Sequence, residues 1–122
     1  MAGFVRGIRG AVTVERNVSQ EIIEATQELI KAIVERNQIT VEDIGSIFFT
    51  VTPDLNSEFP AKAVRAMGWH YVPLLCAQEI NVAGSLPRCI RVLVHVNTGK
   101  SQQEMVHVYL REAAHLRPDL IK

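Results

Sequence analysis

The stretch P-R-C-I-R-V-L-V-H-V, residues 87–96, decides how the chain is read. It is dense in β-branched residues and entered through a proline, which marks a strand. Alternate residues of a strand share a face. One face is then Ile90, Val92, Val94 and Val96, uniformly apolar and part of the core. The other is Cys89, Arg91, Leu93 and His95, which sets a guanidinium that cannot be deprotonated between residues that prefer burial. A buried cation without a partner pays a heavy desolvation penalty. An internal ion pair, an edge strand with Arg91 in solvent, or a cavity that receives an anion would each meet that demand. On this stretch alone the first two are the plainer readings.

Composition narrows the field. The chain has 122 residues, enough for one domain with a single core. Apolar residues make up 48% and charged residues 21%, as in ordinary globular proteins. Thirteen basic and thirteen acidic residues cancel, and with no basic tract and 6% aromatics nothing points to nucleic acid. The first ten residues hold no apolar signal region, and no run reaches membrane-spanning length. Cys76 and Cys89 sit singly in apolar stretches, which reads as reduced core thiols and a cytoplasmic place. His70, His95, His107 and His115 show no metal-ligand spacing, so no metal or cofactor is expected.

Outward from the central stretch, the elements alternate. Phe4 to Ala11 reads as a strand in which Gly7 and Gly10 leave Arg9 without bulky neighbours; glycine there marks a close approach of backbone or ligand, or else a frayed edge. Ser19 is placed to cap a long amphipathic helix ending near Asn37, with Ile22, Ile23, Thr26, Leu29, Ile30, Ile33 and Val34 on the inner side. A short helical turn from Thr40 to Asp43 precedes a second strand, Ile44 to Thr52. The long loop after Pro53 is where a site would be built, and Pro60 opens a short helix that stops at Gly68. On that helix Lys62 and Arg65 share one face, a pattern that is usually just solvated. L-L-C-A-Q-E-I, residues 74–80, is a third strand, in which Cys76 and Glu79 fall on opposite faces unless a bulge re-aims one. Glu79 is the natural counter-charge for a buried arginine. Ser101 to Glu104 has the form of a capping box and predicts a helix through Met105, Val108 and Tyr109, followed by an extended segment around His115 and Leu116. The residues after Pro118 are expected to form a mobile tail.

The sum is a mixed α/β (α+β) domain over residues 1–122, a β-sheet with helices on one face. Arg9, Lys62, Arg65, Arg91 and Arg117 with one acid, Glu79, suit a small polyanionic metabolite better than acid–base chemistry, because no second carboxylate or base is placed to relay protons.

Five ordered blocks carry a resemblance over residues 6–120. They are R-G-I-R-G-A-V-T-V-E at 6–15, T-P-D-L…F-P-A-K-A-V-R at 52–65, G-W-H-Y-V-P-L-L-C-A-Q-E at 68–79, C-I-R-V at 89–92 and H-V-Y-L…L-R-P-D-L at 107–120. The chain resembles the monofunctional AroH-type chorismate mutases. That implies a barrel-like homotrimer with active sites between subunits. It also implies conversion of chorismate to prephenate for Phe and Tyr biosynthesis, by a [3,3]-sigmatropic rearrangement without cofactor. The resemblance assigns Arg91 to the ether oxygen, Glu79 to the ring hydroxyl and allyl fragment, and Arg9 and Tyr109 to substrate carboxylates. Cys76 becomes the site cysteine beside Glu79, the two serving one pocket through a bulge or a backbone contact. Phe59, Ala61 and Lys62 become a wall from the neighbouring subunit, Arg65 a peripheral cation, and Leu116 and Arg117 a C-terminal lid. The chain departs from the family at Leu74 and Leu75, where a threonine often precedes the cysteine, in a segment from Arg65 to Trp69 one residue short, and in a tail ending soon after Arg117. Two alternatives stand beside it: a trimeric imine deaminase-like enzyme, suggested by G-S-L-P-R-C-I-R-V, and a non-catalytic module that binds a small anion.

Overall fold

The computed structural model of the chain describes residues 3–116. Five strands form one mixed sheet in the order β3-β2-β4-β1-β5, with β1 at Phe4–Thr13, β2 at Ile44–Val51, β3 at Leu74–Gln78, β4 at Cys89–Thr98 and β5 at Val108–Leu110. β4 is the middle strand, antiparallel to both β1 and β2, while β3 and β5 add parallel to β2 and β1. Arg91 is therefore on a central strand, which removes the edge-strand reading. β1 is interior too, so Arg9 is not on a frayed edge.

Two helices, α1 at Ser19–Asn37 and α2 at Pro60–Ala66, cover one face of this sheet. The core lies between them: Ile8 and Val12 of β1, Ile47 and Phe49 of β2, and Ile90, Val92 and Val94 of β4 meet Ile22, Leu29, Ile30 and Ile33 of α1. The helical period of α1 and the two-residue period of the strands thus point at one another. On the opposite face Ala11, Cys89 and Ala113 make a second, small cluster beneath Tyr109 and Leu116. The rest of that face is uncovered, and Leu75 remains 59% exposed and Phe48 39%.

Three expectations need correction. Ser19 does not cap α1: the cap is Val18, and the Ser19 hydroxyl donates to Glu58 at 2.9 Å. The capping box is present at Ser101, with its N–H donating to Glu104 at 2.8 Å, but it opens one 3-10 turn, Gln102–Glu104. Tyr109 lies on β5, and Arg111–His115 is a 3-10 turn rather than an extended segment. The reason is tertiary: the buried Asn37 side chain accepts the Val106 N–H at 2.7 Å and donates to the Val106 carbonyl at 2.9 Å. A backbone clamped on both its groups has none left for a helical ladder. The expected tail after Pro118 lies outside the described residues.

Gly10 shows why a glycine interrupts β1. A Cβ there would lie 2.8 Å from the Val108 carbonyl oxygen and 3.1 Å from side-chain atoms of both Leu29 and Ile33. At Gly45 the nearest atom to such a Cβ is 3.8 Å away. Gly10→Ala is expected to destabilise by about 1–3 kcal/mol, since β5 and α1 must both shift, whereas Gly45→Ala is expected to be close to neutral. Urea denaturation of the two variants side by side checks this.

Candidate active site

In register across the open face run two rows of side chains. One is Leu75, Phe48, Leu93 and Arg9; the next is Ala77, Thr50, Arg91, Ala11 and Tyr109. Arg91 has the small Ala11 on one side and Thr50 on the other, so the sheet leaves space above it. Glu79 reaches this row from just beyond the end of β3, where its backbone N–H continues the ladder by donating to the Val51 carbonyl at 2.8 Å. Its carboxylate accepts the Thr50 hydroxyl and stands 3.4 Å from Arg91 Nε. The ion pair expected from sequence is there, but it is loose. Arg91 Nε is sealed from solvent and donates to nothing, the one such buried side-chain nitrogen or oxygen among the described residues. The arginine side chain as a whole is still 43% exposed, so its far end opens outward.

A cavity of about 450 Å³ lies over this point, lined by Arg9, Gly10, Arg91, Val92, Tyr109 and Leu116. Four of the residues singled out from sequence therefore share one cleft, with Glu79 at its Arg91 end. Arg117 lies outside the described residues.

The remaining expected residues gather elsewhere. Cys76 registers with Phe49 and Val92, and so faces the helices, on the side of the sheet away from Arg91. No bulge interrupts β3 between Cys76 and its end, and strand parity alone separates the cysteine from Glu79. Cys76, Phe59 and Pro60 line a second cavity of about 430 Å³ with the 55–58 loop. Burial pushes the Cys76 thiol up, against the Ala61 backbone and the Arg65 guanidinium, which pull it down. Phe59 is exposed, and Lys62 is paired with Glu58 at 3.2 Å. Glu58 is held below the usual carboxylate range, chiefly by the Ser19 hydroxyl and then by the Phe59 N–H and Lys62. The loop that carries this wall is tied down at Asn17, whose side chain accepts the Asn56 and Ser57 N–H groups, both at 3.1 Å.

Sequence reading missed several residues that hold the first cleft. Asp54 accepts the Arg88 N–H at 3.0 Å and the Thr52 hydroxyl at 2.5 Å, and Thr52 in turn accepts the Cys89 N–H at 3.0 Å. This knot fixes the start of β4 at Arg88, whose φ of 49° is left-handed. Thr50 was visible as a polar residue in an apolar strand; nothing local announced that Asp54 reaches 34 residues along the chain. Among the described residues no group of three or more His, Cys, Asp or Glu is placed to hold a metal ion, and no helix is long and apolar enough to cross a membrane.

The fold and cleft define a class: a mixed-sheet α+β protein that presents arginines and one carboxylate to a small anionic ligand. The family model for chorismate mutase type I matches residues 5–120. Chorismate mutase AroH of Bacillus subtilis (strain 168) is 49% identical over 118 residues, covering 96% of this chain and 93% of that protein. Chorismate mutase AroH of Thermus thermophilus is 55% identical over 118 residues, covering 96% and 97%. A solved chorismate mutase from Clostridium thermocellum superposes with a TM-score of 0.87 at 51% identity, covering 88% of this chain and 96% of that one. The chain belongs to the chorismate mutase type I family, which sets aside the imine deaminase alternative.

Cys89 offers a test of the cleft floor. It is fully buried, and burial pushes its thiol up to about 11, with Arg91 pulling the other way. A raised folded value means stability is fully present below the unfolded thiol's pKa, near 9, and is lost as pH rises towards about 11. Between pH 8 and 10.5 the protein should lose up to about 2 kcal/mol more than Cys89→Ala over the same interval. Equal losses in urea titrations at the two pH values would show that the thiol is not held neutral.

Proposed function

We infer that this family member converts chorismate to prephenate by holding the substrate dianion in its reactive diaxial conformer and stabilising the charge that separates as the ether bond breaks. The reaction is intramolecular and needs neither nucleophile nor general base, which suits a cleft furnished with arginines. The observation that carries this reading is the Arg91 guanidinium, whose buried Nε no acceptor takes and whose far end opens into the cleft. A guanidinium that is only loosely paired is stabilised by an acceptor that meets its open end, and most by one on which negative charge grows. We assign that acceptor to the ether oxygen. Glu79, steadied by Thr50, faces the positive allyl fragment and the ring hydroxyl. Arg9 and Tyr109 take substrate carboxylates, and Leu116 with Arg117 closes over them.

Cys76, Phe59, Ala61, Lys62 and Arg65 complete the site from a neighbouring subunit of a homotrimer. Two features support this. The second cavity cannot serve Arg91 within one chain, because the sheet lies between Cys76 and Arg91. And Leu75, Phe48 and Leu93 form an apolar row on an uncovered sheet face, which a barrel-like trimer core would bury. A cytoplasmic location accords with the two unpaired cysteines.

Loss of chorismate absorbance in a chelator, without added cofactor and with prephenate as sole product, is the expected result. Binding without turnover would favour a non-catalytic module. Replacement of Arg91 by citrulline, a neutral near-isostere, should lower turnover roughly a thousandfold or more while leaving chorismate binding within about tenfold. Unchanged turnover would remove Arg91 from the chemistry. For the shared site, Arg91→Ala and Lys62→Glu should each be impaired and regain activity when refolded together. A fully active monomer in analytical ultracentrifugation would rule the shared site out.

A further inference from the structure

Arg9 is paired with Leu93 of β4 on one side, but on its other side no strand reaches it. Gly7 and Gly10 flank it without side chains, and the parallel pairing of β1 with β5 begins only at Gly10 and Val108. Its backbone N–H nonetheless has a partner: it donates to His107 Nδ1 at 2.9 Å. An imidazole nitrogen that accepts carries no proton, so the ring presents Nδ1 as a lone pair to the strand. The residue that carries the ring is itself held through the chain: Val106 before it is clamped on both backbone groups by Asn37 at the end of α1, and Val108 after it is buried. A chain of contacts thus runs from the rigid helix through Asn37 and Val106 to His107, and from there to the backbone of Arg9.

We propose that His107 is a positioning residue, whose Nδ1 sets the backbone of Arg9 so that the Arg9 guanidinium meets the substrate carboxylate. The proposal rests on the reading of Arg9 as a carboxylate-binding residue. A carboxylate contact is made in ground state and transition state alike, so loosening it raises KM more than it lowers kcat. Asparagine can place an amide oxygen near the position of Nδ1, whereas leucine fills the space without an acceptor.

The experiment measures KM and kcat for chorismate in the whole protein and in His107→Leu, His107→Asn, Arg9→Ala and the double variant Arg9→Ala/His107→Leu. His107→Leu should raise KM roughly three- to tenfold with kcat changed less than twofold, matching one neutral hydrogen bond. His107→Asn should recover most of that loss. In the Arg9→Ala background His107→Leu should add nothing, because the contact it serves is already gone. A raised KM in Arg9→Ala with an unchanged KM in His107→Leu overturns the role of His107 alone. So do equal losses in the leucine and asparagine variants, or a full further loss in the double variant, each of which marks a structural residue. An unchanged KM in Arg9→Ala overturns the reading of Arg9 and this inference with it.

Discussion

A guanidinium nitrogen without an acceptor is the constraint around which the sheet is arranged. Arg91 Nε is shut away from water on the central strand, and Glu79 at 3.4 Å offsets its charge without accepting its proton. Desolvating a charge is costly, and incomplete pairing leaves part of that cost in the folded protein. The surroundings make it tolerable. Small residues flank the arginine, its far end stays open, and Thr50 holds the carboxylate nearby. Had Glu79 accepted that proton squarely, a ligand would have had to displace it.

Holding Arg91 in this state requires the strand beneath it to stay still. The knot of Thr52, Asp54, Arg88 and Cys89 does so at the start of β4. T-P-D-L is one of the blocks that carries the family resemblance, yet its Thr and Asp contact backbone rather than the cleft. A motif that identifies a family can thus reach the chemistry through geometry alone. Arg88 in a left-handed conformation is the kind of local strain that survives only where neighbours over-determine it, and the two hydrogen bonds from its N–H to Asp54 supply that restraint.

Periodicity made much of this legible. The alternation in 89–96 separates core from cleft, and the 3.6-residue period of α1 finds most of its buried face, although Ile23 and Val34 are only half-buried and the small Ala25 and polar Asn37 are buried as well. The parity of Cys76 and Glu79 was legible as well, and it holds: the two point to opposite faces. What local patterns could not reveal was contact between distant residues. Ser101 to Glu104 satisfies every local rule for a helix start, but Asn37, 69 residues away, takes the Val106 backbone first, and β5 forms where the helix was expected. Ser19 has a capping side chain and spends it on Glu58. Propensity is a weak prior against a buried hydrogen-bonding partner.

The same parity bears on why one chain should not complete the site. A sheet offers two faces, and here one is filled by helices while the other holds the charge. Residues of α2 and the 55–59 loop belong to the helix side, so no rearrangement short of unfolding brings them over Arg91 within a chain. A second copy can do so by rotation, placing its helix-side edge against the first copy's open face. In the proposed trimer that arrangement would bury the Leu75–Phe48–Leu93 row and close the cleft with one operation, because row and cleft lie side by side on the same surface. In that trimer assembly and catalysis would draw on a single face, and weakening the apolar row would open the site before it unfolds the subunit.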